Sequence, residues 1–349
     1  MCDGPPENYT PLPWLGRAPF NIELRTLHVD RSRLDEELLN KVRDCGVTLV
    51  RDKVVRIERN GKHIAAVQTA SGDRYASPWF IDASGYGTAL LAREFKLRAV
   101  HNGPAKVAIW TYFPMNDSIE GTTLYTEPEA AEYLDWIWEI PINPRVVSVG
   151  YVTTGEAMKA KREKGLAVEE IFRQQLMKFP RFQSLPNITP DALNVTSFRC
   201  RVHMGVSGPN WLIAGEAAAM VDPITANGVT AALRHAAEAS HLILKHRKSG
   251  KLPLTARISY NNRVMQLARF FNSGIENIVY QPPIRDRIGL RHSATVYISP
   301  AWGMNVVYAR MQPRGILSTF IFTAFLGFFR AIEWMFYRLC KLISQPAEA

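Results

Sequence analysis

A chain of 349 residues, 47% of them hydrophobic, can bury a substantial core and is long enough for two domains, so wholesale disorder is excluded. Cys2, Cys45, Cys200 and Cys340 are scattered with no CxxC pair, which argues against a metal site or a disulfide framework and fits a reducing cytoplasm. The net charge of +10 is uneven: Lys245 to Arg314 holds twelve Lys or Arg against two acids, whereas residues 1–244 balance at 27 basic against 28 acidic.

The N-terminus, MCDGPPENYTPLPWLG, has no basic stretch followed by an apolar run and is expected to be a proline-rich loop, not a signal peptide. RSRLDEELLNKVRDC, residues 31–45, places Leu34, Leu38, Leu39 and Val42 at helical spacing, with Gly46 as the stop. The period then changes to two. VTLV, KVVRIE, HIAAVQT and RYASPWFID are expected to form a meander of short strands, with turns at Asn60-Gly61 and Ser71-Gly72, that ends in a buried strand. KVAIWTYFP, TTLYTE, YLDWIWEIPI and VVSVGYVT suggest a second sheet with aromatic faces. Helical segments follow from about Glu156 to Phe179; NVTSFRCRV and NWLIAGEAA return to strand, and Gly228 to Lys245 is a long alanine-rich helix.

The C-terminal region holds GILSTFIFTAFLGFF, residues 315–329, without a charge. That is short of the roughly 20 residues a spanning helix needs, and Arg330 and Glu333 follow directly. A helix lying in a membrane surface beside a cationic face is the favoured expectation, with a buried terminal helix as its alternative. The basic stretch is not assigned to nucleic acid, because no recognition motif or interleaved aromatic pattern accompanies it.

The most informative segment is WLIAGEAAAMVDPITANGVTAAL, Trp211 to Leu233. A buried strand stops at Gly215, Glu216 follows at once, and a loop through Asp222-Pro223 leads to Asn227-Gly228 at a helix start. Such a start presents unpaired N–H groups and a positive dipole end, which suit an electron-rich ring edge or an anion. Glu216 can accept hydrogen bonds from a polyol, and Gly228 permits close approach. The same pattern also describes an ordinary strand–loop–helix crossover.

GEAAAMVDPITANGV resembles the second flavin-binding motif of FAD monooxygenases, geranylgeranyl-reductase-like enzymes and flavin-dependent halogenases. On that resemblance Gly215, Glu216, Asp222, Pro223, Asn227 and Gly228 form the flavin pocket, with Glu216 where the family usually has Asp. HVDRSRLDEELL, with Arg31, is similar to the family's arginine-containing helix near the cofactor. PWFIDASGYGTALLARE, with Asp82 and Gly85, is similar to its turn over the FAD diphosphate. WIWEIP fits the WxWxIP signature of the halogenases at Trp136, Trp138, Ile140 and Pro141; read physically, the two tryptophans share one strand face and fill a core.

The resemblance implies an α/β (α+β) fold: an incomplete FAD-binding Rossmann-like domain at 1–99 and 190–246, an inserted antiparallel substrate-binding sheet at 100–189, and a helical C-terminus at 247–349. It implies FAD as cofactor, an electron-rich or hydrophobic small molecule as substrate, and a separate flavin reductase as partner. A geranylgeranyl-reductase-like enzyme and a truncated, non-catalytic fold are the alternatives. Three family features have no counterpart in these 349 residues: the GxGxxG turn, the lysine that relays oxidised halogen, and the serine of the halide loop FxxPxxSxG, whose positions hold Met220, Pro223, Ala226 and Gly228.

Overall fold

A computed structural model of the chain describes residues 28–114, 121–126, 133–185, 192–280 and 315–344, together with the backbone of 17–18 and 22–23. The proline-rich N-terminal loop, Cys2, the 281–314 part of the basic stretch and the Cys340 side chain lie outside the described residues.

β1 (Arg17–Ala18) and β2 (Ile22–Glu23) form a short antiparallel pair. α1 (Arg31–Asp44) starts where the Asp30 side chain accepts from the Ser32 and Arg33 amides, and it stops before Gly46 at φ +75. VTLV, expected as a strand, has no strand partner among the described residues. β3 (Val54–Asn60), β4 (His63–Thr69) and β5 (Arg74–Ala76) form the expected meander. RYASPWFID is two strands, not one, because Pro78 offers no ladder donor; β6 (Phe80–Asp82) leaves the meander and pairs in parallel with β12 (Trp211–Ile213). Buried Asn210 ties the two sheets together, bonding both the N–H and the C=O of Ile64.

After the short helices α2 (Gly85–Thr88) and α3 (Leu90–Glu94) comes the main antiparallel sheet. It contains β7 (Ala99–Pro114), β8 (Thr123–Thr126), β9 (Trp136–Asn143), β10 (Val146–Thr154), β11 (Asn194–His203) and β13 (Ala219–Met220), in the order β13-β11-β7-β10-β9-β8. The sheet therefore draws strands from both sides of the expected boundary at 189/190. α4 (Gly155–Glu163) and α5 (Val168–Met177), separated at Gly165 (φ +83), cover one face. α6 (Gly228–His246) follows the flavin-like loop; α7 (Leu254–Gly274) runs into a π-helical turn, Ile275–Tyr280, and α8 (Ile316–Ser344) packs beside it.

Alternation along β7 decides what each face carries. Ile109 and Phe113 join Val149, Tyr151, Phe172 and Phe182 under α4 and α5. Ala108 and Trp110 point the other way, toward Trp136, Phe271, Ile278 and Phe322 of the α7–α8 side. β7 is irregular at Gly103-Pro104, where the pairing jumps from Cys200↔Asn102 to Phe198↔Lys106, as expected where proline removes an N–H from a central strand. Gly103 has φ +68, a left-handed turn that favours glycine, and the Glu276 carboxylate lies where a Cβ would stand.

Candidate functional site

The loop from Gly215 to Gly228 is held from several directions. Gly215 (φ +60) donates its N–H to His235 Nδ1 at 3.1 Å, and burial, with Arg234 nearby, pushes His235 down to about 3 so that the ring stays neutral. Glu216 occupies the next position, exposed, with no protein hydrogen bond to its carboxylate among the described residues. A methyl group built on Gly228 would meet Glu216 Oε1 at 3.5 Å, an ordinary contact, and nothing else within 4 Å. The Asn227 side chain does not cap α6, so the helix start opens onto the side where Glu216, Pro223, Ala226 and Gly228 are exposed.

Asp222 is different: only 2% exposed, it is a buried anchor. Oδ1 accepts from the Ile224 amide at 3.1 Å and the Tyr280 hydroxyl at 3.0 Å; Oδ2 accepts from Lys106 Nζ at 3.0 Å and the Cys200 thiol at 3.4 Å. Those four donors fill the carboxylate. The Asp222 amide donates to Asn272 Oδ1, whose amide group donates in turn to the Met220 carbonyl, binding the loop to α7.

Lys106 is 1% exposed and sits over the Tyr280 ring, 4.3 Å from its centroid. Burial opposes its charge, but the Asp222 carboxylate, with Glu276 behind it, outweighs that and holds the ammonium above the ordinary lysine range. The same burial, reinforced by Asp222, pushes the Cys200 thiol and the Tyr280 hydroxyl well up, so both stay protonated. Tyr133 stacks on Tyr280 at 4.7 Å and donates to Glu276 at 2.6 Å.

The WIWEIP strand joins this cluster directly. Trp136 Nε1 donates to the Tyr280 hydroxyl at 2.9 Å, and that hydroxyl donates to Asp222. Trp138 lies on the same face, 5.8 Å from Trp136, and donates to Ser148 Oγ at 3.1 Å. Gly150, opposite Trp138, leaves room for its ring, since a Cβ there would overlap the indole. Ile140 and Pro141 are half-buried farther along β9, opposite Ser148 and Val147 of β10.

The remaining candidates lie apart from the cluster. Asp82 spends its carboxylate on the Ser84 and Leu91 amides at 2.9 and 2.6 Å, which makes it the brace of the turn containing Gly85 (φ +78). Arg31 is exposed and pairs with Asp35 at 2.9 Å within α1. A cavity of about 420 Å³ lined by Val107, Met158, Arg162 and Val195 lies on the α4–α5 face of the sheet, opposite Lys106. Sequence reasoning missed Lys106, Cys200, Asn272, Glu276 and Tyr280; a lysine opening the apolar run KVAIW was the one local sign.

A family model described as tryptophan halogenase matches residues 22–269, more than two thirds of the sequence. The chain belongs to the tryptophan halogenase family. Flavin-dependent halogenases use FAD as cofactor. The chain is similar to tryptophan 2-halogenase of Chondromyces crocatus, 26% identical over 256 residues, which are 69% of this chain and 48% of that protein. It is similar also to the flavin-dependent halogenase ptaM of Pestalotiopsis fici, 23% identical over 256 residues, 69% of this chain and 45% of the relative. The chain thus spans about half the length of the curated relatives it matches. Among solved structures, the fold is shared with a triple mutant of the flavin-dependent brominase Bmp2, at TM-score 0.64 and 19% identity, covering 79% of this chain and 71% of that one. It is shared too with a flavoprotein/dehydrogenase from Cytophaga hutchinsonii, at TM-score 0.64 and 18% identity, covering 95% and 79%. The α/β fold with its antiparallel sheet is that of FAD-binding halogenases.

Proposed function

We propose that this chain provides the flavin-ring half of an FAD site and works as an FAD-dependent oxidoreductase of halogenase type on an electron-rich small molecule. One observation carries the reading: the buried chain Trp136–Tyr280–Asp222 joins the WIWEIP strand to the loop that begins α6, so both family motifs serve one site. The residues present fit the ring and ribityl part of FAD. Glu216 offers an uncommitted carboxylate to a polyol, the α6 start offers N–H groups to the pyrimidine edge, and Gly228 leaves van der Waals space before them.

When bound and reduced, FAD would supply the two electrons that bring O2 to the peroxide level, the oxidant for halide or substrate, and a separate flavin reductase would supply the reduced form. The chain's own residues orient and exclude. Lys106 and Asp222 neutralise each other beneath the loop, and Trp136 and Trp138 give the site an apolar floor that keeps water out. Halide is held less well than in the family pattern. Ala226, in the left-handed region at φ +49, brings no hydroxyl to the position of the family's serine, so only backbone N–H groups are available there.

The test supplies reduced FAD, O2 and bromide with an electron-rich aromatic probe and follows brominated product by mass spectrometry. Product that disappears in Gly228→Ala supports the reading. Bromination equal to the protein-free control, together with no flavin binding, overturns it.

A further inference from the structure

α8 is apolar on both sides. Its inward face buries Phe322 and Leu326 in the core together with the polar Thr319 and Glu333. Thr319 bonds Ser259 at 2.6 Å and Arg263 at 2.9 Å, and Glu333 accepts from Asn277 at 3.2 Å. Its outward face is apolar: Leu317, Phe320, Phe328, Ile332, Met335 and Leu339 recur at helical spacing and are all exposed, Leu317 and Phe320 at 70%. In all, eleven large apolar side chains of α8 are exposed, and the stripe continues onto Leu254 and Ile258 at the start of α7. A strip this continuous exceeds the scattered apolar residues of an ordinary monomer surface.

Among the described residues, basic side chains stand at both ends of the strip. Lys245, Arg247, Lys248 and Lys251 are exposed beyond the end where α7 begins, and Arg338 and Lys341 are exposed at the other. The one acid of α8, Glu333, is buried on the inward face. Trp334, exposed beside Arg338, adds an amphipathic ring at that end. A second copy packed on this strip antiparallel would bring the cations of one helix end against those of the other. An anionic lipid surface meets both features at once, with headgroups for the cations and acyl chains for the strip.

We propose that α8 and the first turns of α7 dock the protein on the surface of a bilayer containing anionic lipid, with α8 lying parallel to the surface. Ile316–Leu339, 24 residues at mean hydropathy 1.6, is long enough to cross, but α8 stays on the surface. The reason is that its inward face is fastened to α7 by buried polar bonds centred on Arg263, which also pairs with Glu238 at 2.8 Å. Crossing would break those bonds, take Thr319 away from buried Arg263 of α7 and carry Glu333 into hydrocarbon. The inference does not depend on flavin binding.

Flotation of the 349-residue chain with vesicles of phosphatidylcholine, alone or with a quarter of phosphatidylglycerol, tests the proposal. The chain should float with the anionic vesicles about tenfold more than with the neutral ones. Phe320→Glu combined with Phe328→Glu should abolish flotation, and Lys245→Glu with Lys248→Glu should lower it about tenfold on anionic vesicles only. Both pairs change exposed side chains, so far-UV circular dichroism and the thermal midpoint should stay as in the parent. Fluorophores on Phe320→Cys, Phe328→Cys and Leu339→Cys should report one shallow depth by lipid-nitroxide quenching. A chain that stays in the aqueous layer with both vesicle types overturns the proposal. So does a dimer that the phenylalanine substitutions dissolve without any vesicle binding. A depth that passes through the bilayer midplane between positions 320 and 339 contradicts the surface orientation.

Discussion

The cluster around Asp222 and the surface formed by α1 and residues 47–50 differ in how completely their side chains are partnered. Asp222 receives four donors, Lys106 lies between an ion pair and a tyrosine face, and Trp136 is bonded through its indole. Leu38, Leu39, Val42, Val47, Leu49 and Val50 are all exposed, and no residue of α1 is buried. Both regions carry family-like motifs, yet only the first is fastened by tertiary structure. The Asp222 cluster is therefore fixed by the main sheet and α7, while α1, with Arg31, takes no part in its bonds. Substitutions should separate the two regions by several kcal/mol.

The largest effect is expected from Lys106→Met. It leaves Asp222 buried without its cation and should cost about 3–5 kcal/mol in urea unfolding, much of it recovered by adding Asp222→Asn. A small loss from the single variant would show that the cluster is not the structural anchor described here.

Glu333 gives a pH handle. Burial, set against Arg330 and the Asn277 and Ser273 bonds, raises its carboxyl to about 7. The folded chain then holds a proton that the unfolded chain has lost, so this contribution makes stability fall as pH rises from about 4.5 to about 7 and level off above. Glu333→Gln should raise the unfolding free energy by about 3 kcal/mol at pH 8, leave it nearly unchanged below pH 4, and flatten the window between. An unchanged pH profile would remove the linkage.

Trp136→Phe keeps an aromatic ring in the core but leaves the Tyr280 hydroxyl without its donor, at an expected cost of about 1–2 kcal/mol by chemical denaturation. Leu38→Glu on α1 should change stability by less than about 0.5 kcal/mol, since the residue is 46% exposed. A loss like that of a core residue would mean that α1 is covered in solution, and the contrast between the regions would disappear.

Much of the candidate site's local structure was legible in sequence because its elements are local. GEAAAMVDPITANGV contains its own strand end, turn and helix start, and WIWEIP shows its shared face through spacing of two. The cluster beneath was hidden because its partners are far apart: Lys106 is 116 residues from Asp222, and Trp136 is 144 from Tyr280. No pattern within one segment predicts such a pairing. α1 is the opposite case, a helix that forms as expected. Leu34, Leu38, Leu39 and Val42 have the periodicity of a buried face, but periodicity says which residues share a side of a helix and not whether anything covers that side. The same limit applies to α8, where composition alone left a buried helix and a surface-lying one as alternatives; the structure buries Phe322 and Leu326 and leaves Phe320, Phe325 and Phe328 exposed.

The central claim, that the Gly215–Gly228 loop and the α6 start hold the ring half of FAD, is tested most directly by fluorescence titration of the chain with riboflavin and with FAD. These 349 residues contain no GxGxxG turn for the diphosphate, so the two flavins should bind weakly and within about threefold of each other. Gly228→Ala should weaken both about tenfold with no change in the urea midpoint, because a methyl there meets only Glu216 in the protein but obstructs a ring. Absence of binding by either flavin, or a Gly228→Ala variant that binds them as the parent does, would contradict the account.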